Sequence, residues 1–389
     1  MLKKLSLAAL IAMGGASFAS ATPLTEAIKN VNFGGYLRVR IYHESDKDYT
    51  TKWRTTALFK FSVPVSEELK FNTGYAFDWS INSNGTAINE VNGETTPPAP
   101  AAGNVKFFLQ YSKDNLTALV GKIPVPTPIT STGVGETTGA GVLALYKVNP
   151  NLTIAAAGID AMVGNDLYNP NGKNVYTAGV LFNQDNVSAE AWYFNVDDAI
   201  DSDIVLRATY KMPENGLALH ADFATAELDD KNVATGAKIG ADITGVKLDK
   251  TQTYFNISAT YAKDGVCAKL GYAQTGEDGG IVALDSDSPI AAVLPTEQKT
   301  GIADTADTSA IYGKVGYTVD AKTNVFAAAS VIDASEDAGD KDYNEYLVGV
   351  KYKYTKKMNV YAYYSILDGD NGAKDKDNNE ARIEFKYSF

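Results

Sequence analysis

Apolar and polar residues alternate with a period of two in segment after segment of this 389-residue chain. From Ala381 to Phe389, apolar or aromatic residues occupy every second position and polar residues fill the positions between. Segments 31–42, 69–81 and 345–354 repeat the pattern. A period of two is that of a β-strand whose two faces meet different environments. The chain is therefore predicted to be built from strands.

Short turns and long polar loops alternate between the predicted strands. The eight short turn signals lie near Pro64–Glu68, Lys113–Asn115, Asn149–Asn151, Gln184–Asn186, Met212–Glu214, Asp264–Gly265, Asp320–Thr323 and Thr355–Lys357. The nine longer segments are 44–52, 82–103, 124–139, 159–173, 196–202, 228–251, 276–307, 333–342 and 368–380. Eight turns and nine loops join eighteen strands, an even number, as in outer-membrane barrels of bacteria. We predict an all-β, transmembrane antiparallel β-barrel of about 18 strands, with short periplasmic turns and long extracellular loops; closure removes every sheet edge from lipid.

The first 21 residues have the three parts of a secretory signal peptide. Lys3 and Lys4 form a positive start, residues 5–13 are apolar, and Ala19-Ser20-Ala21 is a small-residue cleavage site. Residues 22–389 are then predicted to form a single barrel domain. No later stretch has 18 consecutive apolar residues, so any membrane embedding must use strands. We predict that the protein is exported to the bacterial outer membrane.

A secreted soluble β-sandwich is the alternative, because it would show the same alternation and the same export signal. The aromatic residues on the apolar faces and the rhythm of short and long connections favour the membrane barrel. The aromatic pair Tyr387 and Phe389 favours it too, because this ending resembles the signal that the outer-membrane assembly machinery recognises.

Composition excludes several other classes of protein. A single cysteine, Cys267, excludes a disulfide framework and a cysteine-based zinc site. The formal charge of −12 argues against a nucleic-acid partner. Of the two histidines, His220 shares a predicted strand face with Asp222, but no recognisable nucleophile motif accompanies them. We predict no enzymatic activity.

Both ends of the chain resemble one family. Residues 22–31 and 35–40 resemble the mature start of the Campylobacter-type major outer membrane porins, and 352–354 with 360–365 resemble that family's penultimate hairpin. Parts of 141–160 resemble the stretch after its inward loop. The resemblance implies an 18-stranded homotrimeric porin. Its implied partners are outer-membrane lipid and lipopolysaccharide, the assembly machinery, and small hydrophilic solutes and ions.

The third long connection, near 124–139, is the predicted constriction loop by analogy with trimeric porins. Pro124, Pro126 and Pro128 stiffen its first half, and Glu136 is its only charge. The alternative is an ordinary extracellular loop. The resemblance also raises calcium as a cofactor, for which Asp160 is a weak candidate; because the predicted constriction loop contains no Asp, we predict no metal and no cofactor.

Basic residues outnumber acidic ones on the strand faces opposite the apolar stripe. The predicted pore-lining basic residues are Arg38, Arg40, Arg54, Arg382, Lys386, Lys351 and Lys353, and the predicted lumen acids are Asp78, Glu345 and Glu384. Closure places strand 18 beside strand 1, which predicts a basic ladder on one wall and a transverse field at the constriction. In the alternative interpretation, these charges pair with Glu345 and Glu384 and simply hold the barrel together.

Together these features predict a porin with a water-filled pore for passive diffusion of small hydrophilic solutes and ions. Acidic long loops enrich cations at the mouth while the ladder opposes them, which predicts a weak cation preference. A surface adhesin or receptor barrel is one alternative. A substrate-specific channel is another, kept open by the lumen aromatics Tyr36, Tyr42, Phe108, Tyr361 and Tyr363.

Overall fold

The computed structural model describes nine stretches of the chain. They are residues 30–45, 50–82, 101–131, 136–163, 173–230, 249–303, 305–335, 342–369 and 377–389. The predicted signal peptide and residues 22–29 lie outside the described residues, as do 132–135 of the predicted constriction loop.

Eighteen strands and one 3₁₀ turn, Pro213–Asn215, make up the described regular structure. The strands are β1 (Asn32–Glu44), β2 (Thr50–Pro64), β3 (Leu69–Asn82), β4 (Ala101–Lys113), β5 (Leu116–Pro124), β6 (Thr138–Asn149), β7 (Leu152–Val163), β8 (Val175–Gln184), β9 (Val187–Val196), β10 (Ile200–Met212), β11 (Leu217–Leu228), β12 (Thr251–Lys263), β13 (Val266–Thr275), β14 (Thr308–Thr318), β15 (Thr323–Ala334), β16 (Tyr343–Lys353), β17 (Met358–Gly369) and β18 (Asn378–Ser388). No described helix is long and apolar enough to cross a membrane.

Every strand pairs antiparallel with its neighbours in sequence, and β18 pairs with β1. The eighteen strands therefore form one closed barrel, which confirms the predicted fold class and strand number. The pairing of β1 with β18 places Arg38 opposite Lys386 and Tyr42 opposite Arg382. The line where these two strands meet is called the seam below.

The outer face of the barrel is apolar because successive side chains on a strand point to opposite faces. Large hydrophobic residues stand exposed at alternate positions, among them Leu270 at 65% and Val348 at 59%. Their immediate neighbours Lys269 and Leu347 point to the other face and are partly or fully buried. An apolar exterior over a polar interior is the pattern of a barrel wall with hydrocarbon outside.

Aromatic side chains pack where the barrel closes. The ring of Phe389 stacks on Phe33 with 5.0 Å between ring centres and lies 5.9 Å from Phe59. The backbone of Phe389 also exchanges two hydrogen bonds of 3.2 Å with Gly35. The last residue thus ties β18 to β1 through both backbone and ring contacts.

The buried core lies inside the barrel, between the wall and two loops. It combines wall residues such as Val205 and Tyr254 with Ile129 of the third loop and with Ile281 and Ile290 of the seventh loop, residues 276–307. Loops that project beyond the barrel rim are surrounded by water and have no core to pack into. The burial of these isoleucines therefore indicates that both loops fold inward.

Candidate functional site in the barrel lumen

The third loop turns into the lumen immediately after β5. Ile129, Thr130 and Ser131 are at most 1% exposed, and the backbone N–H of Val125 donates to Thr137 across the loop at 3.1 Å. The ammonium of Lys106, on the lumen face of β4, contacts the Glu136 carboxylate at 2.8 Å. The only charge of this loop is thus held by the barrel wall. Of the three prolines, Pro128 is buried, Pro124 is half-buried and Pro126 is exposed.

The seventh loop meets the third loop inside the barrel. The carbonyl of Ile129 accepts hydrogen bonds from the backbone of Leu284 at 2.9 Å and of Asp285 at 3.2 Å. The hydroxyl of Thr137 donates to the Asp285 carboxylate at 2.7 Å. Because the contacts are polar and buried, the two loops form one connected layer rather than two independent segments.

The seventh loop is fastened to the wall by a buried carboxylate. Glu345 on β16 is 1% exposed and accepts backbone N–H groups from Glu297 at 3.0 Å, Gln298 at 3.1 Å and Lys299 at 2.8 Å. The hydroxyl of Ser365 donates to the same carboxylate at 2.7 Å. Glu345 lies on the lumen face as predicted, but it anchors a loop.

An acid of the seventh loop also binds a cation at the seam. The carboxylate of Glu297 contacts the Arg382 guanidinium at 3.0 Å and accepts a hydrogen bond of 2.7 Å from the Tyr361 hydroxyl. The loop carbonyl of Val293 accepts from the Lys269 ammonium at 3.2 Å. The seventh loop thus spans the interior from β13 to β18.

The predicted basic ladder is interrupted by acids. Arg40 lies 3.4 Å from Glu384, and the guanidinium of Arg54 is bound to the carboxylate of Asp78 at 2.5 Å. With Arg382 bound to the seventh loop, three predicted ladder arginines have acidic partners. The predicted lumen acids Asp78 and Glu384 thus lie among the cations of the predicted ladder. The alternative in which Glu384 pairs with them holds for Arg40.

Several cations on this side, Arg382 among them, also contact aromatic rings. We call β14 to β18 together with β1 the seam wall. The cation–ring pairs there, with the distance to the ring centre, are Arg38 over Tyr36 at 5.6 Å, Lys386 over Tyr36 at 4.5 Å, Arg382 over Tyr363 at 4.7 Å, Lys314 over Phe326 at 4.3 Å, Lys351 over Phe326 at 5.7 Å and Lys351 over Tyr361 at 5.4 Å. A ring attracts a cation through its quadrupole but carries no net charge. These contacts position positive charge without cancelling it.

Three arginines of the seam wall also lack a hydrogen bond at one guanidinium nitrogen. Within the described residues, the buried Nε atoms of Arg38, Arg40 and Arg382 have no hydrogen-bond partner. The contact of Arg40 with Glu384 is close enough for an ion pair without the alignment of a hydrogen bond. The Tyr42 hydroxyl instead accepts from an Arg40 terminal nitrogen at 2.6 Å. Tyr352 and Lys353 end β16 beside this region, with Lys353 exposed.

The opposite side of the barrel holds its cation by acids. We call β9 to β12 the far wall. Its Arg207 donates to Asp222 at 2.6 Å and contacts Glu190 at 3.4 Å. Asp222 is 1% exposed and also accepts from Asn256 at 2.8 Å. Asn256 in turn accepts from the Tyr312 hydroxyl at 2.6 Å, so the network extends to β14.

His220 belongs to the same network. Its Nε2 lies 2.9 Å from the Asp222 carboxylate, and its Nδ1 lies 2.8 Å from the Thr209 hydroxyl. In a hydrolase triad, Nε2 faces the nucleophile and Nδ1 faces the carboxylate. The two nitrogens have exchanged positions here, and Asp222 also binds Arg207 and Asn256, so His220 is one member of a polar network.

The calcium candidate Asp160 has an exposed side chain near the loop end of β7. Within the described residues, no group of three or more His, Cys, Asp or Glu side chains is arranged to hold a metal ion. The neighbouring residues 164–172 lie outside the described part of the chain.

Sequence reasoning recognised residues 276–307 as a long loop but missed that this seventh loop folds into the lumen. The signal was its length together with the apolar runs at 281–284 and 290–294, because such runs indicate a buried segment rather than an exposed loop. It also missed Phe326, Lys314 and Glu297 as functional residues. Phe326 reads in the sequence as one more apolar strand residue, and only the register places it between two lysines.

A closed 18-strand antiparallel barrel with an apolar exterior and a charged lumen defines the class of outer-membrane β-barrel channels. All residues 1–389 match the family model of the Campylobacter major outer membrane protein. The chain belongs to that family and is an outer-membrane protein. A search of curated protein sequences finds no match.

Solved structures share the fold at low sequence identity. OccAB1 of Acinetobacter baumannii has a TM-score of 0.71 and 18% identity, with 93% of this chain and 97% of that chain covered. OccK3 (OpdO) of Pseudomonas aeruginosa has a TM-score of 0.70 and 14% identity, with 96% and 98% covered. OpdK of Pseudomonas aeruginosa, solved with vanillate, has a TM-score of 0.70 and 12% identity, with 93% and 99% covered. At these identities the likeness is one of fold.

Proposed function

We propose that the protein forms a water-filled pore for passive diffusion of small hydrophilic solutes and ions, narrowed by the third and seventh loops. The observation that carries the proposal is the hydrogen-bonded contact of these two loops inside the barrel, at Ile129 and Asp285. The loops are fastened to different strands of the wall, through Lys106 on β4 and Glu345 on β16. A solute crossing the barrel passes this layer.

We propose a weak preference for cations. Acidic residues cluster at the loop ends of the strands, for example Glu227, Asp229 and Asp230 after β11 and Glu277 with Asp278 after β13. Acids at a mouth concentrate cations there, and salt screens the effect once the screening length falls below about 10 Å. The cations of the seam wall oppose this preference further inside.

Single-channel current in planar lipid bilayers tests both statements. We expect steady ohmic current, with a reversal potential in a salt gradient that favours cations at low salt and shrinks as salt rises. Three equal conductance steps would also support the homotrimer, which remains our expectation. Absence of current from correctly folded protein would overturn the pore and favour a surface adhesin or receptor barrel.

A substrate-specific channel is the second candidate. The observation in its favour is the set of seam-wall cations held on rings, since their charge is open to a solute. The structurally similar OpdK was solved with vanillate, a carboxylate. Block of the current by one class of solute at millimolar concentration would single out this candidate.

We expect the barrel to act without catalysis and without a resident metal. Its expected surroundings are outer-membrane lipid, lipopolysaccharide and, during insertion, the assembly machinery that reads Tyr387 and Phe389. Chelator treatment followed by conductance and thermal melting tests the metal: a shift in either would show that calcium is part of the protein.

A further inference from the structure

We propose that Lys314 and Lys351, together with the ring of Phe326 between them, form a binding site for short dicarboxylate dianions at the short-turn end of the lumen. Short turns of outer-membrane barrels face the periplasm. The inference deepens the proposed function and rests on it for the access of solutes to the lumen.

The site lies in an open cavity of about 530 Å³. Lys314, Lys351 and Tyr361 line it together with the β14–β15 turn, residues 318–323. Its volume lies within the range of small-molecule sites, and it is far larger than one water molecule requires. A solute leaving the loop layer towards the short turns enters this space.

The acids that line the cavity already have partners. Glu297 binds Arg382 and the Tyr361 hydroxyl, and Glu384 contacts Arg40. The third acid, Asp320, accepts the backbone N–H groups of Lys322 and Thr323 at 2.7 and 2.8 Å within its own turn. These N–H groups hold the pKa of the Asp320 carboxyl below its usual range.

The two lysines, in contrast, have no acidic partner among the described residues. The Lys314 ammonium lies 4.3 Å and the Lys351 ammonium 5.7 Å from the centre of the Phe326 ring. The ring of Tyr361 stacks on Phe326 with an angle of 7° between the planes and also contacts Lys351. The rings position both lysine side chains and add no negative charge of their own.

This geometry selects for two negative charges on one small molecule. The two ammonium groups can be no farther apart than the sum of their distances to the shared ring. A four-carbon dicarboxylate spans such a separation with one charge-assisted hydrogen bond of about 2.8 Å at each end. A monocarboxylate can bind only one ammonium group and leaves the other without an anionic partner.

The test compares succinate with butyrate, which has the same four carbons and one charge fewer. Calorimetric titration of the full chain in detergent measures binding, and bilayer recordings measure block of the current from each side. We expect succinate to bind about tenfold or more tightly than butyrate, because one charge-assisted hydrogen bond is lost. We expect block to be stronger from the short-turn side.

Variants then locate the site. Lys314→Gln and Lys351→Gln should each weaken succinate binding about tenfold, while Lys314→Arg and Lys351→Arg keep the charge and should retain binding. Lys113→Gln is the matched control, because it removes one positive charge from another short turn, where Lys113 pairs with Glu68 at 2.7 Å.

Equal binding of succinate and butyrate to the wild-type chain would overturn the site, as would Gln variants that bind like the wild type. The wild-type comparison decides the matter even if a Gln variant fails to fold. Current without succinate binding refutes this inference alone. Succinate binding without current refutes the proposed pore and leaves the site standing.

Discussion

The seam wall holds its lumen cations mainly on rings, with acids beside Arg40 and Arg382, whereas the far wall holds Arg207 by acids. On the far wall, Arg207 is enclosed by Asp222 and Glu190, and its charge is cancelled where it arises. On the seam wall, Arg38 and Lys386 share the ring of Tyr36 instead. A carboxylate both positions and neutralises a cation, whereas a ring only positions it. One wall therefore contributes mainly to stability, and the other contributes an electrostatic field.

The largest expected effect is on the far wall. Asp222→Asn leaves Arg207 without its closest carboxylate in a buried network, which should lower the free energy of unfolding by about 3–5 kcal/mol. Glu384→Gln is the seam-wall counterpart and should cost only about 1 kcal/mol, because Arg40 keeps the Tyr42 hydroxyl and ring. Refolding titrations in urea with lipid vesicles measure both. Equal costs would remove the distinction between the walls.

The lipid faces of the two walls should behave alike. Leu206→Lys on β10 and Val348→Lys on β16 each place a charge on an exposed apolar position. Each should cost about 2–4 kcal/mol if it lies near the bilayer midplane. Leu206→Met and Val348→Met are controls of similar length without charge. The same refolding titrations apply, and a cost confined to one wall would show that the walls also differ outside the lumen.

The stability of the seam between β1 and β18 should depend on contacts between aromatic rings. Phe389→Ala removes the contacts with Phe33 and Phe59 and should cost about 1–2 kcal/mol. Phe389→Leu keeps apolar area but loses the ring stacking, so its loss of stability should be smaller than that of Phe389→Ala. Heat-modifiable barrel in outer membranes, quantified by gel, reports assembly. Wild-type amounts in a strain that lacks Phe389 would contradict its role in assembly.

The smallest expected effect is on selectivity. A unit charge about 10 Å away changes the energy of an ion by roughly 0.4 kcal/mol in water. Combined Arg38→Gln and Lys386→Gln should therefore move the low-salt reversal potential measurably towards cations. Arg207→Gln should move it less, because it removes one positive charge rather than two. If Arg207→Gln gives the larger shift, the far wall is the one that sets the field.

The residues of β1 and β18 show which part of the site was predictable. Their alternation placed Arg38, Arg40, Arg382 and Lys386 on one face, and closure brought them together as expected. The partners of these residues were not predictable, because Glu297 lies 85 positions before Arg382 in a loop whose path no local pattern encodes. Rings are also ambiguous in sequence, since Phe326 could equally have faced lipid.

The sequence by itself determined the strand number, the barrel closure, the outer-membrane location and the two faces of each strand. It could do so because lipid imposes a period of two and forbids open edges, and both constraints are local and repeated. Only the tertiary structure decided that two loops fill the lumen, that Glu345 anchors one of them, and which cations keep their charge. Those outcomes depend on contacts between residues far apart in the chain. Strand register and loop path, rather than local spacing in the sequence, decide whether a carboxylate or a ring reaches a given cation.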